Sequence, residues 1–311
     1  MNPVTTTEPA TRPTTALSID TAAHLTAAGL DPDQVAAVIT ATLAEDLSWG
    51  PDVTTEATIA ADAVATADVV VRAAGTLAGV PVAVAVLEIL AADRGARVQI
   101  EVRGHDGDRV AVGDVVLSAT GPVRVLLTAE RTMLNLLCQL SGVATATARW
   151  VAAVAGTSAE IRDTRKTVPG LRVLQKYAVR CGGGVNHRMG LGDAALIKDN
   201  HVAAAGSVRA AFDAVKRNAP HIAVEVECDS LDQVREAIDA GADLILLDNM
   251  DDPTMRAAVQ LAGPHGVRLE ASGGLTLDRA AGVAATGVDY ISIGALTHSA
   301  QVLDLAFDLR S

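Results

Sequence analysis

The sequence predicts an α/β protein in two parts: a small α+β unit, then a larger unit of parallel strands and helices. Three observations carry this reading. Short β-rich runs separated by Gly and Asp turns fill residues 64–127. A long helical stretch, Glu130 to about Val154, comes next with an apolar stripe at Leu134, Leu137 and Cys138. Beyond it, apolar strand-like runs recur with helical segments between most of them, the rhythm of βαβ units and parallel pairing.

Taken in order, Met1 to about Leu17 is rich in Thr, Pro and Ala and lacks periodicity. Residues 1–20 are therefore expected to form a disordered tail. Asp31-Pro32-Asp33 precedes the apolar run Val35–Leu43, which reads as a helix with Asp31 as N-cap. Strands are expected at Ala67–Ala73, Val98–Val102, Val115–Ala119 and Val123–Leu127, with turns at 104–108 and 112–114. A helix from Pro81 to about Ala92 interrupts them, and Pro81 suits a first helical turn. A boundary near Ala129 separates an N-terminal domain, 21–129, from a C-terminal domain, 130–311.

In the second domain, six strands are expected at Ala159–Arg162, Ala194–Ile197, Ile222–Val226, Leu244–Leu247, Val267–Leu269 and Tyr290–Ile293. Helices are expected at Val208–Arg217, Leu231–Ala240, Pro253–Ala262 and Leu277–Ala285. Six runs imply a closed or nearly closed barrel of fewer than eight strands, with an open doubly wound sheet as the alternative.

Composition narrows the function. The chain has 311 residues, half of them apolar, enough for one large domain or two ordinary ones. Aromatics are only 2%, too few for a stacking surface that binds single-stranded nucleic acid. A net charge of -12 argues against nucleic-acid and anionic-membrane partners. Yet Ile161–His201 holds eight Lys and Arg against three Asp, a local +5 that points to a small anionic ligand. Cys138, Cys181 and Cys228 form no C-x-x-C pair, so free thiols in a reducing cytoplasm are expected rather than zinc or disulfides. No basic region followed by an apolar core opens the chain, so no secretory signal is expected. The longest apolar stretch, Ala78–Leu87, is too short to span a bilayer.

The polar residues directly after each apolar run give the strongest functional signal. Barrel enzymes place their sites at the carboxyl ends of the strands. The six runs end in Asp163-Thr164-Arg165-Lys166, Lys198-Asp199-Asn200-His201, Glu225-Val226-Glu227, Asp248-Asn249, Glu270-Ala271-Ser272-Gly273-Gly274 and Ser292-Ile293-Gly294. The first two bring cations and the next two carboxylates. The last two bring Gly and Ser, whose backbone N–H groups can cradle a phosphate. Carboxylates can hold ribose hydroxyls or a Mg²⁺ bridging phosphate oxygens. Gly182-Gly183-Gly184 is not a dinucleotide fingerprint between strand and helix; it is expected as a flexible hinge positioning His187 and Arg188. His201 and His298 lack metal-ligand spacing and are expected to be structural.

Several of these stretches resemble the motifs of the quinolinate phosphoribosyltransferase family. They are Glu130-Arg131-Thr132-Met133-Leu134-Asn135, Asp163-Thr164-Arg165-Lys166-Thr167, Asn186-His187-Arg188, Ile197-Lys198-Asp199-Asn200-His201, Val224-Glu225-Val226-Glu227, Leu246-Leu247-Asp248-Asn249 and Glu270-Ala271-Ser272-Gly273-Gly274. Glu45-Asp46 with Asp52-Val53-Thr54-Thr55 resembles the family's N-terminal signature. The resemblance runs over roughly residues 30–309. It implies an α/β sandwich followed by an incomplete, about six-stranded α/β barrel, in a cytoplasmic homodimer with shared active sites. It implies transfer of phosphoribose from phosphoribosyl pyrophosphate to quinolinate with loss of carbon dioxide. By position, Arg131 would reach in from the partner subunit. Arg165, His187, Arg188 and Lys198 would bind the two carboxylates. Thr164 is counted with the substrate-binding residues, and Lys166 would face the pyrophosphate. Glu227 and Asp248 would hold ribose hydroxyls and Mg²⁺, with Lys166, Glu227 and Asp248 as the catalytic set. Ser272, Gly273, Ser292 and Gly294 would bind the 5-phosphate. The alternatives are a phosphoribosyltransferase for another heterocycle, which as a mono-acid would need fewer cations, a phosphate-binding barrel isomerase, and a non-catalytic ligand-binding barrel.

Overall fold

The computed structural model describes residues 17–310. The tail expected at 1–20 lies outside the described residues as far as residue 16. Structure then begins sooner than expected. Ser18 caps helix α1 (Ile19–Ala27), accepting from Thr21 N at 3.1 Å. Helix α2 (Pro32–Leu47) starts at the Asp31 cap as the sequence indicated, and buries Val35, Ile39 and Leu43 at helical spacing. The Asp52-Val53-Thr54-Thr55 motif opens helix α3 (Val53–Thr58): Asp52 accepts from Thr55 N, and its second oxygen takes Thr128 Oγ1.

The first unit continues with β1 (Val64–Val71), β2 (Gly75–Thr76), α4 (Val80–Asp93), β3 (Gln99–Val102), β4 (Arg109–Val110) and β5 (Val115–Pro122). Helix α5 (Val123–Ala153) begins at the very next residue. The strand expected at Val123–Leu127 is therefore the first turn and a half of this helix. Its β-branched residues suggest a strand locally, but burial runs Val125, Leu126, Ala129, Met133, Leu137, Leu140, a helical stripe. The Arg124 side chain also holds the turn, donating to the Glu56 and Ile59 carbonyls at the end of α3.

The second unit runs β6 (Glu160–Arg162), α6 (Arg172–Cys181), β7 (Ala195–Ile197), α7 (Asp199–Ala205), α8 (Val208–Asn218), β8 (Val224–Cys228), α9 (Leu231–Ala240), β9 (Leu244–Asp248), α10 (Asp252–Ala262), β10 (Arg268–Ser272), α11 (Ala280–Ala284), β11 (Tyr290–Ser292) and α12 (Ala295–His298). The six strands form one parallel sheet in the order β6-β11-β10-β9-β8-β7. The two edge strands, β6 and β7, are consecutive in sequence yet do not pair, and both ends help line one cavity. The sheet is thus curled into an incomplete barrel that stays open between its first two strands.

The last strand, β12 (Leu305–Leu309), leaves the barrel and pairs antiparallel with β1. The first sheet therefore reads β12-β1-β5-β3 and contains both ends of the described chain's sheet structure. A second tie joins the two units: Tyr177 Oη on α6 donates to Asp106 Oδ2 at 2.5 Å, while Asp106 Oδ1 accepts Val80 N at the start of α4. The three cysteines are free, and burial pushes the Cys228 thiol up to about 12. Among the described residues no helix is long and apolar enough to cross a membrane.

Candidate active site

At the carboxyl ends of the barrel strands lies a cavity of about 310 Å³. Its walls include Thr164, Arg165 and Lys166 after β6, Lys198 after β7, Glu227 on β8, Asp248 on β9, Ser272 on β10 and Ser292 on β11. His187 and Arg188 join from the loop after α6. Ten of the residues singled out in the sequence therefore meet around one opening. Gly273 and Gly294 stand beside it. A Cβ at Gly294 would lie 3.0 Å from Lys166 Cδ, so its bare backbone leaves room for the lysine stem. Gly273 has φ +96°, and a Cβ there would lie 2.3 Å from Asn249 Oδ1. Asn249 itself sits at φ 55°, a conformation Asn tolerates, and its N–H donates to Ser272 O at 3.0 Å. That contact ties the ends of β9 and β10 together.

Arg131 is not part of this opening in its own chain. It lies on α5 with a side chain 66% exposed, 3.9 Å from Glu130, and borders a separate groove with Leu134, Cys138 and residues 302–305.

The cations differ in their state. Arg165 Nε is buried and has no hydrogen-bond partner among the described residues. Arg188 donates through Nη1 to Ala194 O at 2.9 Å, and burial, then the Arg165 charge, hold its guanidinium below its ordinary value. Two neighbouring guanidiniums facing one cavity repel each other until an anion enters. Lys198 instead donates to Glu227 Oε2 at 2.9 Å across the opening. A ligand carboxylate must compete for Lys198 with Glu227.

Beneath the opening, the two cationic loops hang on one buried pair. Asp163 and Lys176 have no exposed side-chain surface and form an ion pair. Asp163 also accepts from His187 N at 2.8 Å and from Asn186 Nδ2 at 2.6 Å, while Lys176 donates to His187 O at 2.8 Å. Asp163 directly precedes Thr164-Arg165-Lys166, so the same anion positions both cationic loops. Sequence reading missed this network because Lys176 sits on α6, whose buried face includes the polar Gln175 and Lys176 and hides the apolar period.

The triple glycine is not a hinge. A Cβ at Gly182 would meet Ala144 O at 2.5 Å, and one at Gly184 would meet Thr147 Cγ2 at 2.8 Å. These glycines let the chain press against α5, which fixes the loop that carries His187 and Arg188. His201 accepts from Lys198 N at 2.9 Å through Nδ1, bracing the turn under that lysine. His298 Nε2 would lie 3.2 Å from a Cβ at Gly294.

Comparison with known proteins decides the family. The model of the quinolinate phosphoribosyl transferase N-terminal domain matches residues 52–141, and that of its C-terminal domain matches residues 143–308. The chain belongs to the quinolinate phosphoribosyltransferase family. It is 54% identical over 270 residues to the nicotinate-nucleotide pyrophosphorylase [carboxylating] of Mycobacterium leprae, spanning 86% of this chain and 94% of that protein. It is 38% identical over 286 residues to a mitochondrial quinolinate phosphoribosyltransferase [decarboxylating] of Nicotiana tabacum, over 86% of this chain and 80% of that one. The solved nicotinate-nucleotide pyrophosphorylase of Francisella tularensis superposes with a TM-score of 0.84 at 40% identity, over 89% of this chain and 96% of that one. The chain is therefore an enzyme of the phosphoribosyltransferase kind.

Within the family framework the barrel interior brings His187 together with Glu225 and Glu270, two residues of the strand-end motifs to which the sequence reading gave no role. His187, Glu225 and Glu270 place their polar atoms within 4.8 Å of one another, all buried. Arg162 Nη1 donates to Glu270 Oε2 at 2.5 Å. One signal was available: Glu225 and Glu227, like Glu270 and Ser272, are two apart on a strand and so share its inward face. This layer separates the mouth cavity from a second cavity of about 460 Å³ that opens at the amino ends of the strands, lined by Arg162, His187, Glu225 and Arg268.

Glu227 and Asp248 belong to no three-ligand cluster among the described residues. Two carboxylates at adjacent strand ends suit a Mg²⁺ that keeps several waters and takes its remaining ligands from phosphate oxygens. They fit a largely hydrated ion, and not a closed protein cage.

Proposed function

We propose that the mouth cavity joins quinolinate to the phosphoribosyl group of phosphoribosyl pyrophosphate, releasing pyrophosphate and carbon dioxide and forming nicotinate mononucleotide for NAD biosynthesis. The observation that carries this reading is the Arg165–Arg188 pair, two guanidiniums facing one cavity, one with a buried N–H that has no partner among the described residues. A guanidinium fork grips a planar carboxylate through two parallel bonds, so a diacid satisfies both groups at once. Lys166 faces the pyrophosphate of the donor. Glu227 and Asp248 hold ribose hydroxyls and Mg²⁺, which when bound neutralises charge gathering on the leaving pyrophosphate. Ser272, Gly273, Ser292 and Gly294 receive the 5-phosphate on backbone N–H groups.

That arrangement sets the chemistry. The ring nitrogen attacks the anomeric carbon as pyrophosphate departs. The fixed cations stabilise the departing charge without reorganising, and no protein nucleophile is required. The alkylated nitrogen then carries a positive charge that stabilises the electron pair left when the adjacent carboxylate leaves as carbon dioxide, and a solvent proton takes that pair to form the ring C–H. The role of the protein is to orient that carboxylate and exclude water.

The testing experiment incubates the protein with phosphoribosyl pyrophosphate, Mg²⁺ and either quinolinate or nicotinate, reading pyrophosphate and carbon dioxide. Turnover of quinolinate is expected, with nicotinate slower by about 10⁴-fold because a buried cation is left unpaired. Chelating Mg²⁺ is expected to stop turnover without lowering the melting temperature. Comparable use of nicotinate refutes the diacid reading, and full activity in excess chelator refutes the metal role.

The proposal extends to a cytoplasmic homodimer in which Arg131 completes the site of the partner. Its exposure, and its place outside the mouth cavity of its own chain, support that reading. Arg131→Ala and Lys166→Ala proteins are each expected to be nearly inactive. Refolding an equal mixture creates mixed dimers with one intact site, so roughly a quarter of wild-type activity should return. A mixture no more active than its parents, with subunit exchange confirmed, ends the shared-site idea.

A further inference from the structure

His187 is placed to act on substrate, yet both of its ring nitrogens lie against groups of the protein. Its Nδ1 accepts the backbone N–H of Arg188 at 2.7 Å. A nitrogen that accepts carries no proton, so the proton of the ring sits on Nε2. Nε2 lies 2.9 Å from Glu225 Oε2 and 3.7 Å from Glu270 Oε1. Glu270 is held in turn by Arg162, whose guanidinium also lies 4.7 Å from the Tyr290 ring centroid. The ring is 8% exposed, and its own backbone is gripped on both sides by Asp163 and Lys176.

A buried His with two Glu invites a metal-site reading, and Glu225 Oε1 and Glu270 Oε1 have no hydrogen-bond partner among the described residues. The tautomer argues against it. A metal at Nε2 needs that nitrogen unprotonated, which would move the proton to Nδ1 and break the bond from Arg188 N. The carboxylates act on the other side of the same equilibrium: a carboxylate oxygen 2.9 Å from Nε2 favours a proton there by its charge.

We propose that Glu225, backed by Glu270 and Arg162, is a positioning residue that locks His187 in the Nε2–H tautomer, and that this lock fixes the Arg188 backbone so that its guanidinium faces the substrate diacid. His187 then serves the site by holding Arg188 and presents no N–H of its own to the ligand. Burial, and next the charge of Glu225, raise the Glu270 carboxyl above its ordinary range, so the strength of this lock rests chiefly on Glu225. The proposal rests on the reading that the mouth cavity binds quinolinate, but its first test needs no substrate.

Nitrogen-15 NMR of the full-length protein with labelled histidine reads the tautomer directly, the His187 signals being assigned by their loss in His187→Asn. The expected wild-type pattern is a protonated Nε2 and an unprotonated Nδ1. A proton on Nδ1, or on both nitrogens, at neutral pH overturns the proposal, whatever the protein does with quinolinate. In Glu225→Leu the tautomers should mix. The KM for quinolinate should rise about 10-fold to 10²-fold, the scale for a misplaced binding group, while the KM for phosphoribosyl pyrophosphate stays within about twofold. Glu225→Gln keeps an acceptor oxygen and should restore both the tautomer and the quinolinate KM. A Glu225→Leu protein that keeps the pure Nε2–H pattern and a wild-type KM also overturns it. If Glu225→Leu fails to fold, the wild-type spectrum and the Glu225→Gln kinetics still decide. Wild-type protein that never turns over quinolinate defeats the proposed function alone and leaves the tautomer measurement standing.

Discussion

Removing the Lys166 side chain is expected to lower turnover by at least ~10²-fold, the scale for one preorganised electrostatic group, with Arg165→Ala losing as much. The two variants should differ in stability from most active-site changes. The backbone of Lys166 is held independently of its ammonium: its N–H donates to Thr164 Oγ1 at 3.0 Å and its carbonyl accepts from Thr297 Oγ1 at 2.9 Å. Its side chain forms no ion pair among the described residues, so Lys166→Ala should unfold within about 0.5 kcal/mol of wild type. Arg165→Ala removes a buried N–H that has no partner among the described residues, together with repulsion toward Arg188. Its melting temperature should match or exceed that of wild type, a stability gain at the expense of activity. Steady-state kinetics beside thermal unfolding checks both statements. Near-normal kcat in either variant removes that residue from the chemistry. A large loss of stability in Arg165→Ala would mean the guanidinium is structural.

The largest stability effect is expected at the Asp163–Lys176 pair. Burial raises the Asp163 carboxyl and lowers the Lys176 ammonium, and in each case the charge of the partner opposes the shift. Each charge persists mainly because the other is present. Lys176→Met strands a buried carboxylate and should cost about 3–5 kcal/mol, the range for breaking a buried pair from one side. At roughly 2 °C per kcal/mol for a chain of this size, the melting temperature should fall by about 6–10 °C. Activity should fall further than stability explains, because Asp163 also accepts from His187 N and Asn186 Nδ2 and so sets both cationic loops. Asp163→Leu combined with Lys176→Met should recover only part of the loss, since His187 N loses its acceptor and Asn186 Nδ2 keeps only the carbonyl of residue 176. A melting temperature within about 2 °C of wild type for Lys176→Met would show that the pair carries little.

The barrel was legible because its signals are local. An apolar run bounded by turns and followed by a polar cluster can be read along the chain, and all six strands appeared where such runs occur, within a residue or three at their ends. The mouth was legible for the same reason: strand ends converge in any barrel, so Thr164, Lys198, Glu227, Asp248, Ser272 and Ser292 could be grouped before their distances were known. The errors fell where local and tertiary signals disagree. Val123–Leu127 is mostly apolar with two β-branched valines but helical, because Pro122 ends the preceding strand and the buried stripe of α5 needs those positions. Helix α6 was missed because its buried face spends two positions on Gln175 and Lys176. The triple glycine looked flexible, whereas its small size serves contact with α5.

By itself the sequence determined the alternation of strands and helices, the cationic island, and the polar residues that end each strand. Those depend on neighbours along the chain. Only the tertiary structure decided what pairs with what. Arg162 and Glu270 are 108 residues apart, and they meet because the strand order places β6 two strands from β10 around a curled sheet. The return of β12 to β1, the Lys198–Glu227 pair, and the shared grip of Asp163 on two loops arise the same way. Contacts of that kind are set by sheet order and curvature, and the residues that make them carry no mark of their partners in the linear sequence.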